Sequence, residues 1–446
     1  MRVGFRQNNL LAALSTVVLL AIVASCGGGG GGGTGAPSPR ALGTAEPIAA
    51  DLAGDAFYPQ IAMAADGSAG AVWYHDDGDR TSIWANRFDG TAWTTAQPIS
   101  TDDAGNAFYP QIAMAADGST LAVWCHDDGD RTGIWANRFD GTAWATAQPI
   151  STDDAGNALF PQIAMAADGK AIAVWDQHDG DRTGIWTNRF DGTAWTTAEM
   201  IESGDSGEAF YPQIAMTANG GAIAVWFHDD GTRTAIWASH FDGTAWATAQ
   251  PISTDDAGDA FYPQIAMAAD GKAIALWELQ DGDRTSIWTS HFDGVAWATA
   301  QPVPTDDTGD AFYPQIAMAD NGSAIAVWEL HDGARTSIWA SHVDGSAWAA
   351  AEMIESGDSG NALFPQIAMA ADGKALAVWD QHDGTRTVIF VNRFDGAAWG
   401  AAEPLATDNT GNAYSPQVAL DGAGKAVAVW EHRDGTRYSI WANRFE

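Results

Sequence analysis

Eight prolines, Pro59, Pro110, Pro161, Pro212, Pro263, Pro314, Pro365 and Pro416, follow one another at a constant spacing of 51 residues, and each precedes a glutamine. A unit of that size repeated without interruption cannot bury its faces alone, so each copy needs neighbours to complete a core. The 446-residue chain therefore reads as one large body, although its length alone would suggest about three domains of ~150 residues.

The second unit shows what the repeat contains. Pro110-Gln111-Ile112-Ala113-Met114-Ala115 alternates and meets the hairpin signal Ala116-Asp117-Gly118. Thr120 to Trp124 gives a second strand, and His126 to Arg131 a second turn. Thr132 to Phe139 gives a third strand, closed by Asp140-Gly141, and Ala143 to Ile150 a fourth. A longer crossover, Ser151 to Phe160, leads to the next Pro-Gln. Three Asp-Gly turns and one crossover predict a four-stranded antiparallel meander. Repeated around an axis, it makes an all-β, eight-bladed propeller. Ile112 and Met114 are bulky on one face of the first strand, whereas Ala113 and Ala115 are small on the other. Adjacent blades can interlock on such faces. All 22 tryptophans fall at the three positions of Trp124, Trp135 and Trp144, a periodic stripe that suits blade core.

A ring is favoured over an open array by a phase shift. The last unit runs out at Arg444-Phe445-Glu446, the end of a third strand. Ala41 to Ile48 matches the fourth strand of the seventh unit, Ala398 to Leu405. The N-terminal strand should close the last blade and remove both free sheet edges. The predicted propeller spans residues 41–446.

Before it, residues 1–25 read as a secretory leader, with Arg2 and Arg6 ahead of an apolar run from Leu10 to Val23. Its end, Val23-Ala24-Ser25-Cys26, resembles the lipobox of bacterial lipoproteins. The resemblance implies cleavage before Cys26 and a diacylglycerol on its sulfur. Gly27 after the cysteine implies sorting to the outer membrane or cell surface. Residues 26–40 would then be a lipidated, Gly-rich tether, the only attachment to a membrane. The repeat itself resembles the propeller lipoproteins and the lectin-like or sialidase-like propellers of bacteria. Sialidase propellers carry a Ser-x-Asp-x-Gly-x-Thr-Trp box; Ser239 to Trp246 has those residue types with Asp242 and Gly243 adjacent, so the motif is not matched.

A formal charge of −36 with four lysines excludes a nucleic-acid surface, which needs a cationic footprint. Two cysteines exclude a disulfide framework, and Cys125 reads as a stray thiol. Four sets of residues could carry chemistry, the first three on the face shared by the second turns and the crossovers. Arg80, Arg131, Arg182, Arg233, Arg284, Arg335, Arg386 and Arg437 recur in the second turn. They either present a ring of guanidinium groups to a ligand or pair with carboxylates of their own turn or crossover. Asp102, Asp103 and Asn106 offer oxygens for calcium beside Gly105, without EF-hand spacing. His75, His126, His178, His228, His331 and His382 cluster near the second turn but shift register, which argues against zinc. The glutamines after each proline either ring the channel mouth or bond neighbouring backbone.

Near-identical blades present like groups related by rotation, whereas catalysis needs unlike groups in unlike roles. The expectation is a non-enzymatic, exported, lipid-anchored monomer. It would bind a glycan or an envelope or extracellular protein at several equivalent places, without a cofactor unless calcium is bound. The alternatives are a structural or assembly module of the envelope and a sialidase-like glycoside hydrolase.

Overall fold

The computed structural model describes residues 43–49, 53–100, 105–151, 156–202, 207–253, 258–305, 309–345, 347–355, 360–405 and 411–445. The leader, Cys26 and the tether lie outside them, as do Asp102 and Asp103. Among the described residues there is no helix, and so none long and apolar enough to cross a membrane.

Eight separate sheets of four antiparallel strands follow one another, numbered here as blades 1 to 8 from the sheet that opens with Asp55–Met63. The first strands of successive blades pack on one another and so surround the axis, while each fourth strand packs on its own third. In blade 2 the strands are Asn106–Met114, Thr120–Asp127, Thr132–Phe139 and Gln148–Pro149. Two boundaries differ from the sequence reading. The first strand begins four residues before Pro110, because a bulge between Phe108 and Gln111 lets the chain pair with Thr120–Asp127 on both sides of it. The fourth strand shrinks to Gln148–Pro149, with one further bridge from Trp144 to Phe139. It is the outermost strand, and an edge tolerates a proline that has no N–H to give.

The turns form for local reasons. Gly118 takes φ of 80°, open to glycine at no steric cost, and its N–H closes the hairpin on Ala115 O at 3.0 Å. Asp140 accepts from Thr142 N at 2.8 Å, Thr142 Oγ1 at 2.7 Å and Ala143 N at 3.0 Å. Those bonds, the threonine hydroxyl first, hold its carboxyl at about 2.

Blades interlock as the alternating faces predict. Ile112 and Met114 of blade 2 pack with Ala62 and Ala64 of blade 1, and Ala113 and Ala115 pack with Ile163 and Met165 of blade 3. Trp73, Trp124, Trp175, Trp226, Trp277, Trp328, Trp379 and Trp430 are wholly buried in these seams. Polar latches cross them too: Asn137 Nδ2 donates to Ile99 O and Asn188 Nδ2 to Ile150 O, both at 2.9 Å.

The ring closes as expected. Glu46–Pro47 pairs with Ala442 and Trp441, as Glu403–Pro404 pairs with Val391 and Phe390 one blade earlier. Ile48 N donates to Ile440 O at 2.9 Å, and the Ile48 and Ala49 side chains join the core between blades 8 and 1.

Candidate functional site at the axial mouth

The bulge in each first strand forces one residue into the left-handed region. Tyr58, Tyr109, Phe160, Tyr211, Tyr262, Tyr313, Phe364 and Ser415 have φ between 49° and 54°. Each stands directly before the repeating proline, a place where extended backbone is the norm. Left-handed backbone costs a side-chain-bearing residue roughly 1–2 kcal/mol, so eight equivalent exceptions need a compensating contact. In blades 1, 4, 6 and 7 the preceding blade provides one. Glu431 Oε1 accepts Tyr58 N at 2.8 Å, Asp176 Oδ2 accepts Tyr211 N at 3.2 Å, Glu278 Oε1 accepts Tyr313 N at 2.6 Å and Glu329 Oε1 accepts Phe364 N at 2.7 Å. The acids come from one position of the second strand, which carries Tyr74, Cys125 and Phe227 in blades 1, 2 and 4.

Seven of the eight left-handed residues are aromatic, and their half-buried rings form a chain around the axis. Centroids are 6.1 Å apart for Tyr58 and Tyr109, 5.8 Å for Tyr109 and Phe160, and 4.6 Å for Phe160 and Tyr211. The chain continues at 6.0 Å to Tyr262, 6.4 Å to Tyr313 and 6.3 Å to Phe364, and Ser415 fills the eighth place. An octagon with sides of that length has opposite corners roughly 15 Å apart, an opening of the kind a propeller encloses on its axis.

Directly beneath the collar lie the carboxylates, all buried. Loss of solvent pushes Asp176 and Glu278 up to about 8 and Glu431 up to about 7, and drives Asp380 well above the ordinary range. Burial and then Glu431 raise the Tyr58 phenol to about 12, and burial and then Glu278 do the same for Tyr313. Cys125 is wholly buried, and that burial raises its thiol above the usual range.

The arginines stand in the same face, one turn further from the axis. Arg182 Nη1 meets Glu202 Oε1 at 3.0 Å and Arg335 Nη2 meets Glu355 Oε1 at 2.7 Å, both carboxylates being buried. Arg233 Nη2 donates to Ser253 O at 3.0 Å and Arg386 Nη1 to Gly411 O at 3.3 Å. These four bind the crossover that follows their turn. In Arg80, Arg131 and Arg437 the backbone N–H is held by Asp77, Asp128 and Asp434. Arg284 begins a third strand opposite Asp281.

In the crossover, a Cβ on Gly105 would lie 2.2 Å from Asp127 O, so close backbone approach alone accounts for that glycine. Asn106 Oδ1 accepts Thr81 N of the preceding blade at 3.0 Å, a clamp repeated by Asn157, Asp259, Asp310, Asn361 and Asn412. Among the described residues, no three of His, Cys, Asp and Glu converge as a metal site requires. The His75, His126, His228 and His432 rings pack on Trp84, Trp135, Trp237 and Trp441 within 5.6 Å. His178 and His382 accept turn N–H groups, and His331 Nε2 lies 3.1 Å from Glu329 Oε2. The repeating glutamines are buried, from Gln366 at 0 % exposure to Gln264 at 8 %, so they belong to the wall of the ring and not to its surface.

No family model matches the chain, and no curated protein does. Among solved structures it is similar to the Dos1 propeller, at 10 % identity over 91 % of this chain and 95 % of that one, with a TM-score of 0.55. It is also similar to a leech intramolecular trans-sialidase, at 10 % identity over 90 % and 97 % with a TM-score of 0.41, and to a protein of unknown function from Dyadobacter fermentans, at 14 % over 67 % and 96 % with a TM-score of 0.43. At such identities a likeness is one of fold alone, and the likeness to the Dos1 propeller is in keeping with the eight-bladed ring.

Proposed function

We propose that the protein is a non-enzymatic binding module that takes a glycan at the axial mouth of its crossover face. The observation that carries this reading is the collar: eight left-handed residues around one axis, seven of them aromatic, four of which donate their N–H to a buried acid of the blade before. Strain that the surrounding structure enforces at equivalent places argues for a function of the surface it creates. Tilted, half-buried aromatic rings offer apolar faces to the C–H faces of sugar rings. Rotation presents the same face repeatedly, so a chain of sugars can engage several at once and gain affinity by multivalency. The acids below are committed to backbone N–H groups of the next blade, which supports binding over hydrolysis.

The blade-8 residue supplies the control for a test. Ser415 occupies the same backbone conformation as the aromatic residues, so Tyr211→Ser, Tyr262→Ser and Tyr313→Ser together should leave the fold intact. On a glycan array the triple variant should lose at least tenfold in apparent affinity, with no turnover of a fluorogenic sialoside by either protein. Undiminished binding by the triple variant, or a wild type silent on every glycan, would refute the proposal.

The same proposal places the propeller at the cell exterior on a lipid anchor at Cys26, which the sequence supports through its lipobox. Radioactive palmitate should label the wild type and not Cys26→Ala; equal labelling rules the anchor out.

A further inference from the structure

On the opposite face, the end of each third strand forms a second inter-blade seam. Seven blades end that strand on a buried phenylalanine: Phe88, Phe139, Phe190, Phe241, Phe292, Phe394 and Phe445. A side chain of the preceding blade covers its ring. The Arg87 guanidinium carbon lies 4.7 Å from the Phe139 centroid, with Arg138, Arg189, Arg393 and Arg444 placed likewise over Phe190, Phe241, Phe445 and Phe88. Where the covering residue is histidine, the imidazole takes over. His240 lies 5.4 Å from Phe292 at 46°, and His342 lies 5.6 Å from Phe394 at 41°.

One junction of the eight lacks both partners. Between blades 5 and 6, His291 stands where arginine would, and Val343 stands where phenylalanine would. Arg87 also reaches Gly118 O of the next blade at 2.9 Å, whereas Nε2 of His291, which stands in its place here, makes no hydrogen bond. A cavity of about 290 Å³ opens at this place, lined by His291, Ile274, Met318, Lys272, Gly322 and Gly345 among others. His291 turns edge-on to Trp348 at 6.3 Å, and its Nε2 is buried with no hydrogen-bond partner.

We propose that this junction binds a phenolic ring, which takes the place of the phenyl that Val343 lacks and hydrogen-bonds His291. The two neighbouring histidine junctions supply the geometry, an imidazole tilted over an aryl ring about 5.5 Å away. The cavity is at the small end of the ~300–1,000 Å³ range of ligand pockets, suited to one ring. Burial holds His291 below its ordinary value, so the imidazole is neutral at pH 7. A neutral imidazole nitrogen without a partner is costly to bury, and a phenol hydroxyl can satisfy it as donor or acceptor.

The test uses the full propeller labelled with ¹³C at histidine Cε1 and titrated with p-cresol. The His291 signal, identified by its absence in His291→Gln, should shift saturably, and toluene should bind at least tenfold more weakly because it lacks the hydroxyl. Val343→Phe should abolish the shift and raise Tm by a few degrees through filling the cavity. Should that variant fail to fold, His291→Arg, the residue present at five other junctions, should abolish p-cresol protection against thermal unfolding. N-acetyltyrosinamide binding as tightly as p-cresol identifies a protein side chain as the source of the ring, and binding of p-cresol alone identifies a small molecule. No saturable shift in the wild type, or equal binding by the filled variants, overturns the proposal.

Discussion

A chain that begins at residue 50 should unfold about 6 °C below the full protein, because it lacks the strand that closes the ring. Removal deletes the buried Ile48 side chain, worth about 2–5 kcal/mol by the usual cost of emptying such a site. It also deletes the bonds from Gly43 N to Arg444 O at 2.8 Å, from Ile48 N to Ile440 O at 2.9 Å and from Asn86 Nδ2 to Ile48 O at 2.9 Å. Each is worth about 1 kcal/mol net. A total on the order of 5 kcal/mol lowers Tm by about 6 °C in a domain of this size, given roughly 2.1 cal/mol/K of unfolding entropy per residue. The loss should also change the character of unfolding. Trp441 and Phe445 of the last third strand become an open edge beside blade 1, so blade 8 should exchange its amides faster than blade 4. A synthetic peptide spanning residues 41–50 should restore part of the stability. Calorimetry that finds the same Tm with and without the segment would refute closure as the source of that stability.

What the sequence made legible is what the repeat enforces many times over. The period, the Asp-Gly turns, the alternation of Ile112 and Met114 with Ala113 and Ala115, and the N-terminal Glu46–Pro47 as the fourth strand of the last blade all appear in the structure. The collar was not legible, although Tyr109 and its counterparts recur before every proline but the last. A residue before proline reads as extended crossover, and only the bulge turns it back toward the axis at positive φ. The buried acids were hidden for a related reason. A position that holds Tyr74, Cys125, Asp176, Phe227, Glu278, Glu329, Asp380 and Glu431 looks like a variable surface site. The variety instead reflects two ways of supporting the collar. Carboxylates hold a neighbour's N–H, while Tyr74 stacks on Tyr58 at 5.4 Å and Phe227 packs on Tyr211 at 5.5 Å. Val343 stands at a position that is phenylalanine in the other seven units, but the meaning of that departure needs the seam in which those phenylalanines lie.

Those buried acids make stability depend on pH in an unusual direction. Asp176 and Glu278 near 8 and Glu431 near 7 are protonated in the folded ring at pH 6, whereas the same groups in an unfolded chain ionise near pH 4. Between those limits the unfolded state binds fewer protons, so stability falls as pH rises from about 4 to about 8 and then levels off. Exposed turn aspartates such as Asp89 and Asp140, held near 2, act oppositely and only below about pH 4. Tm should therefore peak near pH 4.5 and decline toward pH 9. Asp176→Asn separates the charge from the hydrogen bond: its amide oxygen can still accept Tyr211 N, which the carboxylate holds at 3.2 Å, but nothing ionises. A tenfold change in proton affinity is worth about 1.4 kcal/mol, so the variant should match the wild type at pH 4.5 and gain on the order of 5 kcal/mol at pH 9. Asp176→Leu should lose roughly 1–3 kcal/mol at pH 4.5, because it leaves that N–H buried and unpaired. A wild-type Tm that stays level from pH 5 to 9, or an asparagine variant with an unaltered profile, would mean that the acids below the collar keep their charge. In that case the aromatic rings would sit over a ring of anions, and the mouth would select cations instead of neutral sugars.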